Sequence, residues 1–219
     1  MLEVRGLRAG YGRAQVLFGL DLDVHAGEVV ALVGRNGAGK STALKAIMGL
    51  LPRISGEVLF LNERLENRQS FEIARLGLAY VPEERRIFAG LTVAENLQAG
   101  RQAPRAGAPE WTAARLEALF PALATLRARR AGTLSGGEQQ MLCIARSLAG
   151  NPRAILLDEP AEGLAPVVVE QVARAILDLK GAGVAVLLAE QSRAFSRRVA
   201  DRSYTLEKGR IADGSPLPQ

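Results

Sequence analysis

The stretch Gly34–Thr42 (GRNGAGKST) constrains the fold more than any other part of the chain. The apolar run before it, Glu28–Val33, predicts a buried strand, and Ala43–Met48 after it predict the first turns of a helix. A glycine-rich turn that joins a strand to a helix N-terminus leaves several backbone N–H groups converging on one point, where they bind a phosphate chain. Because the stretch also fits G-x-x-x-x-G-K-[ST], the P-loop pattern, it predicts a nucleotide-phosphate site.

Each residue type in this stretch has a role in holding phosphate. The glycines let the backbone approach the ligand and adopt positive φ angles. Lys40 is expected to reach the β- and γ-phosphates, and the Ser41 hydroxyl is expected to ligate Mg²⁺. The predicted nucleotide-binding residues are Gly34, Asn36, Gly37, Ala38, Gly39, Lys40, Ser41 and Thr42.

The composition limits what the rest of the chain can do. With 219 residues, 48% of them hydrophobic, the chain is long enough for one domain with a substantial core. The longest apolar run, Val184–Ala189, is far shorter than the roughly 18 residues that span a bilayer, and no signal segment opens the chain. The single cysteine, Cys143, agrees with a reducing compartment. We therefore expect a cytoplasmic protein.

The net charge of +5 does not by itself indicate a nucleic-acid partner. Arginines are scattered along the chain, aromatic residues are only 5% of it, and no interleaved aromatic and basic pattern typical of single-strand binders is visible. The densest basic cluster, Arg127–Arg130, is interpreted as a solvated helix end, with contact to a membrane or a membrane partner as the alternative. No nucleic acid is predicted among the partners.

The pattern along the chain predicts an α/β core with an inserted helical part. Alternating residues at 2–9 and 20–24 predict N-terminal strands, and strands and helices alternate again from 155 onward. Such alternation predicts a parallel sheet with ligands at the carboxyl ends of its strands. From about 92 to 131 the pattern is helical, with an amphipathic stretch at 111–127. We predict a single domain, 1–219, with an α/β core at 1–90 and 146–219 and a helical subdomain at 91–145.

A second set of candidate residues ends the apolar strand predicted at Ala154–Asp158. In P-loop nucleotidases an Asp in this place holds the Mg²⁺ shell, a role that falls here to Asp158. Glu159 beside it is positioned to polarise a water for attack on the γ-phosphate. The alternative, a simple acidic turn, is disfavoured because the same chain contains a P-loop.

A third stretch, Leu134–Gln140, opens a predicted helix. Ser135 is a candidate N-cap with Glu138 three residues on, which is the pattern of a capping box. Gly136 and Gly137 would each cost roughly 1 kcal/mol inside a first helical turn. A purely stabilising role does not explain them, and we interpret them as leaving backbone amides open for an anion.

These three stretches, in this order, resemble the Walker A, signature and Walker B motifs of ABC-type ATPases, and the resemblance covers essentially the whole chain. It implies a mostly parallel core sheet with N-terminal antiparallel strands, and a head-to-tail dimer that holds two ATP molecules between Walker A of one subunit and the signature of the other. By this resemblance, Tyr11 stacks on adenine, and the signature lies against nucleotide across the interface. The signature residues concerned are Ser135, Gly136, Gly137 and Glu138.

The chain departs from the general ABC pattern at three positions. Glu83, a predicted metal ligand, stands where Gln is usual, Ala165 replaces an Asp, and Gln191 replaces a His. Together with the stretch 81–97, these departures resemble one subclass, the LivF-type ATP-binding subunits of branched-chain amino acid importers. Three further positions differ from that subclass as well: Glu84, Ala161 and Ser192.

Gln191 is predicted to bridge the γ-phosphate and the attacking water, with Glu159 as the base. Because an amide does not titrate whereas histidine changes charge near pH 6.5, the rate of hydrolysis is expected to lack a limb with a pKa near 6.5.

The resemblance also implies partners and a place in the cell. They are a second ATPase subunit (identical or related), transmembrane permease subunits, indirectly a periplasmic solute-binding protein, and a peripheral location on the cytoplasmic face of the plasma membrane. Two alternatives stay open at this point. The same ATPase subunit can serve urea, amides or other amino acids, and a soluble ABC ATPase acting on nucleic acid or ribosomes belongs to a different class.

Overall fold

The structure is a computed structural model that describes residues 1–213. Its strands form two sheets. The strands are β1 (Leu2–Tyr11), β2 (Ala14–Val24), β3 (Val29–Val33), β4 (Arg53–Phe60), β5 (Glu63–Arg64), β6 (Leu78–Val81), β7 (Ala154–Asp158), β8 (Ala185–Glu190), β9 (Arg202–Glu207) and β10 (Arg210–Asp213). An antiparallel sheet has the order β2-β1-β4-β5, and a larger sheet has the order β10-β9-β3-β8-β7-β6. In the larger sheet only β10 pairs in the antiparallel sense, so the predicted fold class is confirmed.

The central strands of the larger sheet are apolar on both faces, as expected for parallel strands covered on both sides. In β8, Leu187 packs towards the antiparallel sheet, whereas Val186 and Leu188 pack towards helices on the opposite face. The pairing of Val33 with Glu190, and of Asp158 with Ala189, brings the carboxyl ends of β3, β7 and β8 side by side. The three segments that follow these strands therefore meet at one edge, where parallel sheets bind ligands.

The helices cover both faces of the larger sheet. They are α1 (Lys40–Ile47), α2 (Ser70–Leu76), α3 (Val93–Gly100), α4 (Ala113–Leu119), α5 (Pro121–Thr125), α6 (Gly136–Leu148), α7 (Pro166–Gly181) and α8 (Arg193–Val199). Helices α3 to α6 make up the part of the chain predicted to be a helical subdomain; the exact domain boundaries stay a prediction. Among the described residues, none of the helices combines the length and the apolar character that crossing a bilayer would need.

The single helical stretch expected at 111–127 is wrong in detail, because the structure divides it into α4 and α5. Phe120, between the two helices, has φ −130° and ψ 77°. A proline disfavours helical backbone at the residue before it, and Pro121 follows directly. Trp111 is buried in the hydrophobic cluster on this side of the sheet, and its backbone N–H donates to Asn151 Oδ1 (2.7 Å).

Two short helices were not predicted. Helix α2 begins after Gln69, which forms a capping box with Glu72 in place of the Ser or Thr that is usual at the N-cap. Helix α8 begins after Ser192, whose hydroxyl accepts from Phe195 N–H (3.2 Å). Both helices are about two turns long, so their apolar periodicity is too short to be read from sequence.

Candidate nucleotide-binding site

The P-loop joins β3 to α1 with the geometry that its sequence pattern requires. Gly37 (φ 79°) and Gly39 (φ 111°) lie in the left-handed region, which favours glycine. Gly34 approaches a neighbouring strand so closely that a Cβ atom there would lie 2.6 Å from the carbonyl oxygen of Leu206. Helix α1 begins at Lys40 with no acidic residue in its first turn. Its N-terminal N–H groups therefore form an anion-binding surface.

Lys40 is buried, with only 3% of its side chain exposed. Its ammonium group donates to the carbonyl oxygens of Gly34 (2.9 Å) and Arg35 (3.3 Å), and it forms an ion pair with Glu159 Oε1 (3.0 Å). The buried cation is thus held within the phosphate-binding loop and directly beside the predicted catalytic base. This contact brings two of the sequence-predicted residues together.

Ser41 and Asp158 are also brought together, and Tyr80 joins them. Ser41 Oγ donates to Asp158 Oδ1 (2.9 Å), and the Tyr80 hydroxyl donates to Asp158 Oδ2 (3.0 Å). Burial raises the pKa of the Asp158 carboxyl above its usual value, and the two hydrogen bonds offset part of this rise. Burial and the nearby Asp158 carboxylate raise the pKa of Tyr80, so its hydroxyl stays protonated and remains a donor.

This arrangement fits Mg²⁺ bound mainly through a nucleotide. A hydroxyl and a carboxylate in contact are oxygen ligands of the kind that Mg²⁺ prefers, and the ion usually completes its shell with water and substrate phosphates. Among residues 1–213, no group of three or more His, Cys, Asp or Glu side chains could hold a metal ion by itself. Ser41 and Asp158 are the residues that would hold it, and the ligand role of Glu83 stays a prediction.

A cavity of about 390 Å³ lies in front of the P-loop. Glu83, Glu159 and Glu162 also line it. The P-loop residues on its wall are Asn36, Gly37, Gly39, Lys40, Ser41 and Thr42. Gly34 and Ala38 line an adjoining cavity together with Gln191. Every predicted P-loop residue therefore faces one of two neighbouring cavities.

Tyr11, the predicted adenine contact, lies at the end of β1 and is half exposed. It does not line either of the two cavities around the P-loop, in the part of the chain that the structure describes, whereas Val16 on the adjacent strand lines the first of them. The adenine contact of Tyr11 stays a prediction.

Three carboxyl groups surround Gln191. Glu159, Glu162, Glu190 and Gln191 line one cavity of about 340 Å³ beside α8. A hydrogen bond with Glu159 and the charge of that carboxylate raise the pKa of Glu162 to about 7. Burial raises the pKa of Glu190 to about 7, and its Oε1 atom is buried without a hydrogen-bond partner. Groups that titrate near neutral pH thus lie beside the predicted base.

The signature residues lie at the start of α6 and form a complete capping box. Ser135 N–H donates to Glu138 Oε2 (2.7 Å), and Glu138 N–H donates to Ser135 Oγ (3.3 Å). A Cβ atom at Gly136 would lie 2.5 Å from Arg85 Nη1, and one at Gly137 would lie 2.8 Å from a methyl carbon of Val168. The two glycines therefore also let the side chains of Arg85 and Val168 pack closely against α6. This second reason for glycine at these positions could not be predicted from the sequence.

Within the described residues 1–213, none of the signature residues lines either cavity around the P-loop. The signature and the P-loop of one chain therefore do not share a cavity.

Three functional candidates could not be predicted from the sequence: Tyr80, Glu162 and Glu190. Tyr80 carries no local signal, since it binds Asp158 only because β6 pairs with β7. Glu162 and Glu190 lie within three residues of predicted site residues, which was the one available clue.

Comparison with known proteins agrees with this geometry. The ABC transporter family matches residues 17–162. The chain is 42% identical to the high-affinity branched-chain amino acid transport ATP-binding protein BraG of Pseudomonas aeruginosa, over 96% of this chain and 91% of that protein. It is 38% identical to a probable branched-chain amino acid transport ATP-binding protein, LivF, of Archaeoglobus fulgidus (97% and 90% covered). It is 34% identical to the lipopolysaccharide export system ATP-binding protein LptB of Escherichia coli (98% and 90% covered).

Solved structures show the same fold. An ATP-binding subunit of an ABC transporter has a TM-score of 0.86 and 31% identity, covering 99% of this chain and 90% of that one. A dimeric ATP-binding cassette in a post-hydrolysis state, bound to ADP and Pi, has a TM-score of 0.84 and 25% identity over the full length of both chains. A phosphate loop, a paired Ser and Asp, and a buried Lys–Glu contact are thus found on the fold of known nucleotide-hydrolysing cassettes. The chain belongs to the ABC transporter family and is one of its ATP-binding, ATP-hydrolysing subunits.

Proposed function

We propose that the chain powers the import of branched-chain amino acids. The observation that carries this proposal is the 42% identity with BraG, a branched-chain amino acid transport protein, over nearly the whole chain. Identity with the export protein LptB is lower, at 34%. The solute itself has no contact with an ATPase subunit, so the proposal rests on similarity across the chain rather than on a solute pocket.

Uptake in the source organism tests the proposal. Deletion of the gene should abolish ATP-dependent uptake of labelled leucine, isoleucine and valine, and the wild-type gene should restore it. The matched control is the Glu159→Gln gene, which should produce a folded protein without restoring uptake. Normal leucine uptake in the deletion strain would contradict the proposal.

A second candidate is transport of another substrate by the same ATPase. The 34% identity with LptB, which covers 98% of the chain, shows that a related cassette works in an export system. Urea and other amides are further candidates for import. Labelled urea in the same uptake assay, together with the lipopolysaccharide content of the outer membrane in the deletion strain, separates these possibilities.

The site residues have distinct proposed roles in hydrolysis. The P-loop N–H groups and Lys40 hold the phosphates, and Ser41 and Asp158 would hold Mg²⁺, which supplies charge neutralisation of the phosphate oxygens when bound. Glu159 accepts a proton from the attacking water, and Gln191 orients that water. The Lys40 ion pair keeps the Glu159 carboxylate beside the phosphate-binding loop.

The working form is proposed to contain two ATPase subunits. Support comes from the separation of the signature from the P-loop cavities within the described chain, and from the dimeric cassette of the same fold. Glu159→Gln protein should shift to the dimer volume on gel filtration when ATP is added. A shift by the chain alone would indicate a homodimer, and a shift only with a related subunit would indicate a heterodimer.

A permease is proposed to bind the cleft of about 620 Å³ between α2 and the helical part. Three large apolar side chains at this cleft are exposed: Leu50 (51%), Phe71 (56%) and Phe88 (51%). Exposed apolar patches of this kind mark interaction sites. The cleft supports contact with a membrane subunit, and we propose that this contact occurs on the cytoplasmic face of the membrane. Phe71→Glu should abolish uptake while ATP hydrolysis by the isolated protein is unchanged.

A further inference from the structure

Arg85 lies in the loop between β6 and α3 and touches two motifs at once. Its Nη2 atom donates to the carbonyl oxygen of Glu162 (3.1 Å), in the turn that follows Glu159. Its Nη1 atom occupies the space that a side chain at Gly136 would need, since a Cβ there would lie only 2.5 Å away. One guanidinium group therefore bridges the turn after the catalytic base and the first turn of the signature helix.

The contact with Glu162 leads directly to the base. Glu162 N–H donates to the Glu159 carbonyl oxygen (3.2 Å), and Glu159 N–H donates to Ala189 (2.9 Å). Glu159 has φ 46°, a backbone conformation that non-glycine residues adopt only where the surroundings hold them in it. Arg85 is the side chain that holds the outer end of this turn, and its own φ is 48°.

The loop that carries Arg85 is fixed at its other end as well. The buried amide of Asn96 accepts from Phe88 N–H (2.9 Å) and donates to the Phe88 carbonyl oxygen (3.0 Å). The guanidinium of Arg146, near the end of α6, lies 4.5 Å from the centre of the Phe88 ring and also donates to the Arg86 carbonyl oxygen. These contacts attach the loop to α6, so the loop and the helix are expected to move together.

We propose that Arg85 is a positioning residue for ATP hydrolysis, which ties the turn holding Glu159 to the first turn of the signature helix on the same chain. The inference rests on the ATPase activity and is independent of which solute is transported. A planar group with several N–H donors suits this bridge, because one edge binds the Glu162 carbonyl while the other packs against a glycine.

Arg86, the next residue, provides a matched control. Its guanidinium is exposed and lies 3.6 Å from the exposed carboxylate of Glu84, a pairing that contributes little. Arg85→Ala and Arg86→Ala therefore remove the same group one residue apart, and only the first removes the bridge. Arg85→Lys keeps a charge and one donor for the Glu162 carbonyl.

The full-length variants are compared in two measurements. In steady-state hydrolysis of Mg-ATP, Arg85→Ala should lower kcat about tenfold with KM changed less than about twofold, because the base is misplaced while the phosphate site is intact. Arg86→Ala should match wild type, and Arg85→Lys, which keeps only the donor for the Glu162 carbonyl, should recover part of kcat. In hydrogen exchange without nucleotide, amides at 159–165 should exchange about five times faster in Arg85→Ala, the scale of one lost hydrogen bond. Amides at 134–138 should also exchange faster, because the guanidinium no longer packs against Gly136.

The outcomes separate positioning from general stability. A lower kcat with faster exchange confined to these two segments, at an unchanged Tm, supports the proposal. Equal kcat in Arg85→Ala and Arg86→Ala overturns it. A loss of kcat accompanied by faster exchange throughout the chain also overturns it, since Arg85 would then merely stabilise the fold.

Discussion

The P-loop and the signature, the two elements of this chain predicted to bind phosphate, are held in place in different ways. Around the P-loop, buried groups at the end of β7 and the start of α1 bind one another: Lys40 pairs with Glu159, and the Ser41 hydroxyl donates to Asp158. The signature lies at an exposed helix start, where its capping groups bind each other and Arg85 and Val168 pack against its glycines. The comparison indicates that substitutions near the P-loop act through buried charges, whereas substitutions near the signature act through the packing around its first helical turn.

The largest effect is expected for Glu159→Gln. Loss of the base should lower ATP hydrolysis by roughly two decades or more, while ATP binding is kept because the phosphate-binding loop is unchanged. Hydrolysis is measured by phosphate release and binding by fluorescence titration. Glu84→Gln, which changes an exposed carboxyl in the neighbouring loop, is the control and should stay near the wild-type rate. Wild-type turnover by Glu159→Gln would exclude Glu159 as the base.

Lys40→Ala should weaken ATP binding by more than about tenfold, because Lys40 is the cation on the wall of the P-loop cavity. It should also destabilise the protein by about 3 kcal/mol, since the buried Glu159 carboxylate would lose the cation that it pairs with. Urea unfolding of Lys40→Ala, Glu159→Gln and the double variant measures this coupling.

The double variant should be more stable than Lys40→Ala alone, because no unpaired charge remains. Lys45→Ala, on the same helix, is the control for removing a lysine from α1. If the losses of unfolding free energy in the two single variants simply add up in the double variant, the buried ion pair makes no contribution to stability. The contrast drawn here between the P-loop and the signature would then be wrong.

Gly137→Ala tests the packing at the signature. The added Cβ would lie 2.8 Å from a Val168 methyl carbon, so the variant should lose about 1 to 3 kcal/mol of stability. Val168→Ala in the same protein should restore most of it by opening space. ATP hydrolysis should stay low in the double variant if the signature amides also bind nucleotide. Recovery of both stability and hydrolysis would limit Gly137 to a packing role.

On the signature side, the sequence predicted the capping box of Ser135 and Glu138. On the P-loop side it predicted residue roles, but neither the ion pair of Lys40 with Glu159 nor the hydrogen bond from Tyr80. The roles at Gly37, Gly39 and the strand ends follow from local backbone rules, which act within a few residues. The contacts of Arg85 with Gly136 and Glu162 join segments about 50 and 77 positions apart, and no periodicity encodes such a meeting. Fold class could therefore be predicted, whereas two of the three carboxyl groups near Gln191, those of Glu162 and Glu190, could not.

The smallest effect concerns pH, and here the structure changes an expectation. A rate without a limb near pH 6.5 was expected because Gln191 does not titrate. However, Glu162, which shares a hydrogen bond with Glu159, and the buried Glu190 both have their pKa raised to about 7. Below that pH, Glu162 is protonated and donates to the carboxylate of the base, which ties up its lone pairs. Above it, Glu162 is ionised and the base is free, so the rate should rise as pH increases through about 7.

Glu162→Gln should remove this limb, because an amide donates at every pH, and it should lower the rate above pH 7 only a few-fold, the scale of one hydrogen bond. Glu190→Gln and Glu83→Gln are the controls for the other carboxyl groups near the site. Profiles from pH 5.5 to 8.5 at saturating Mg-ATP decide among them. A limb that survives in Glu162→Gln but disappears in Glu190→Gln would assign it to Glu190, which has a buried oxygen without a partner. The titrating group would then lie on β8, beside Gln191, rather than in the turn that joins the P-loop side to the signature side through Arg85.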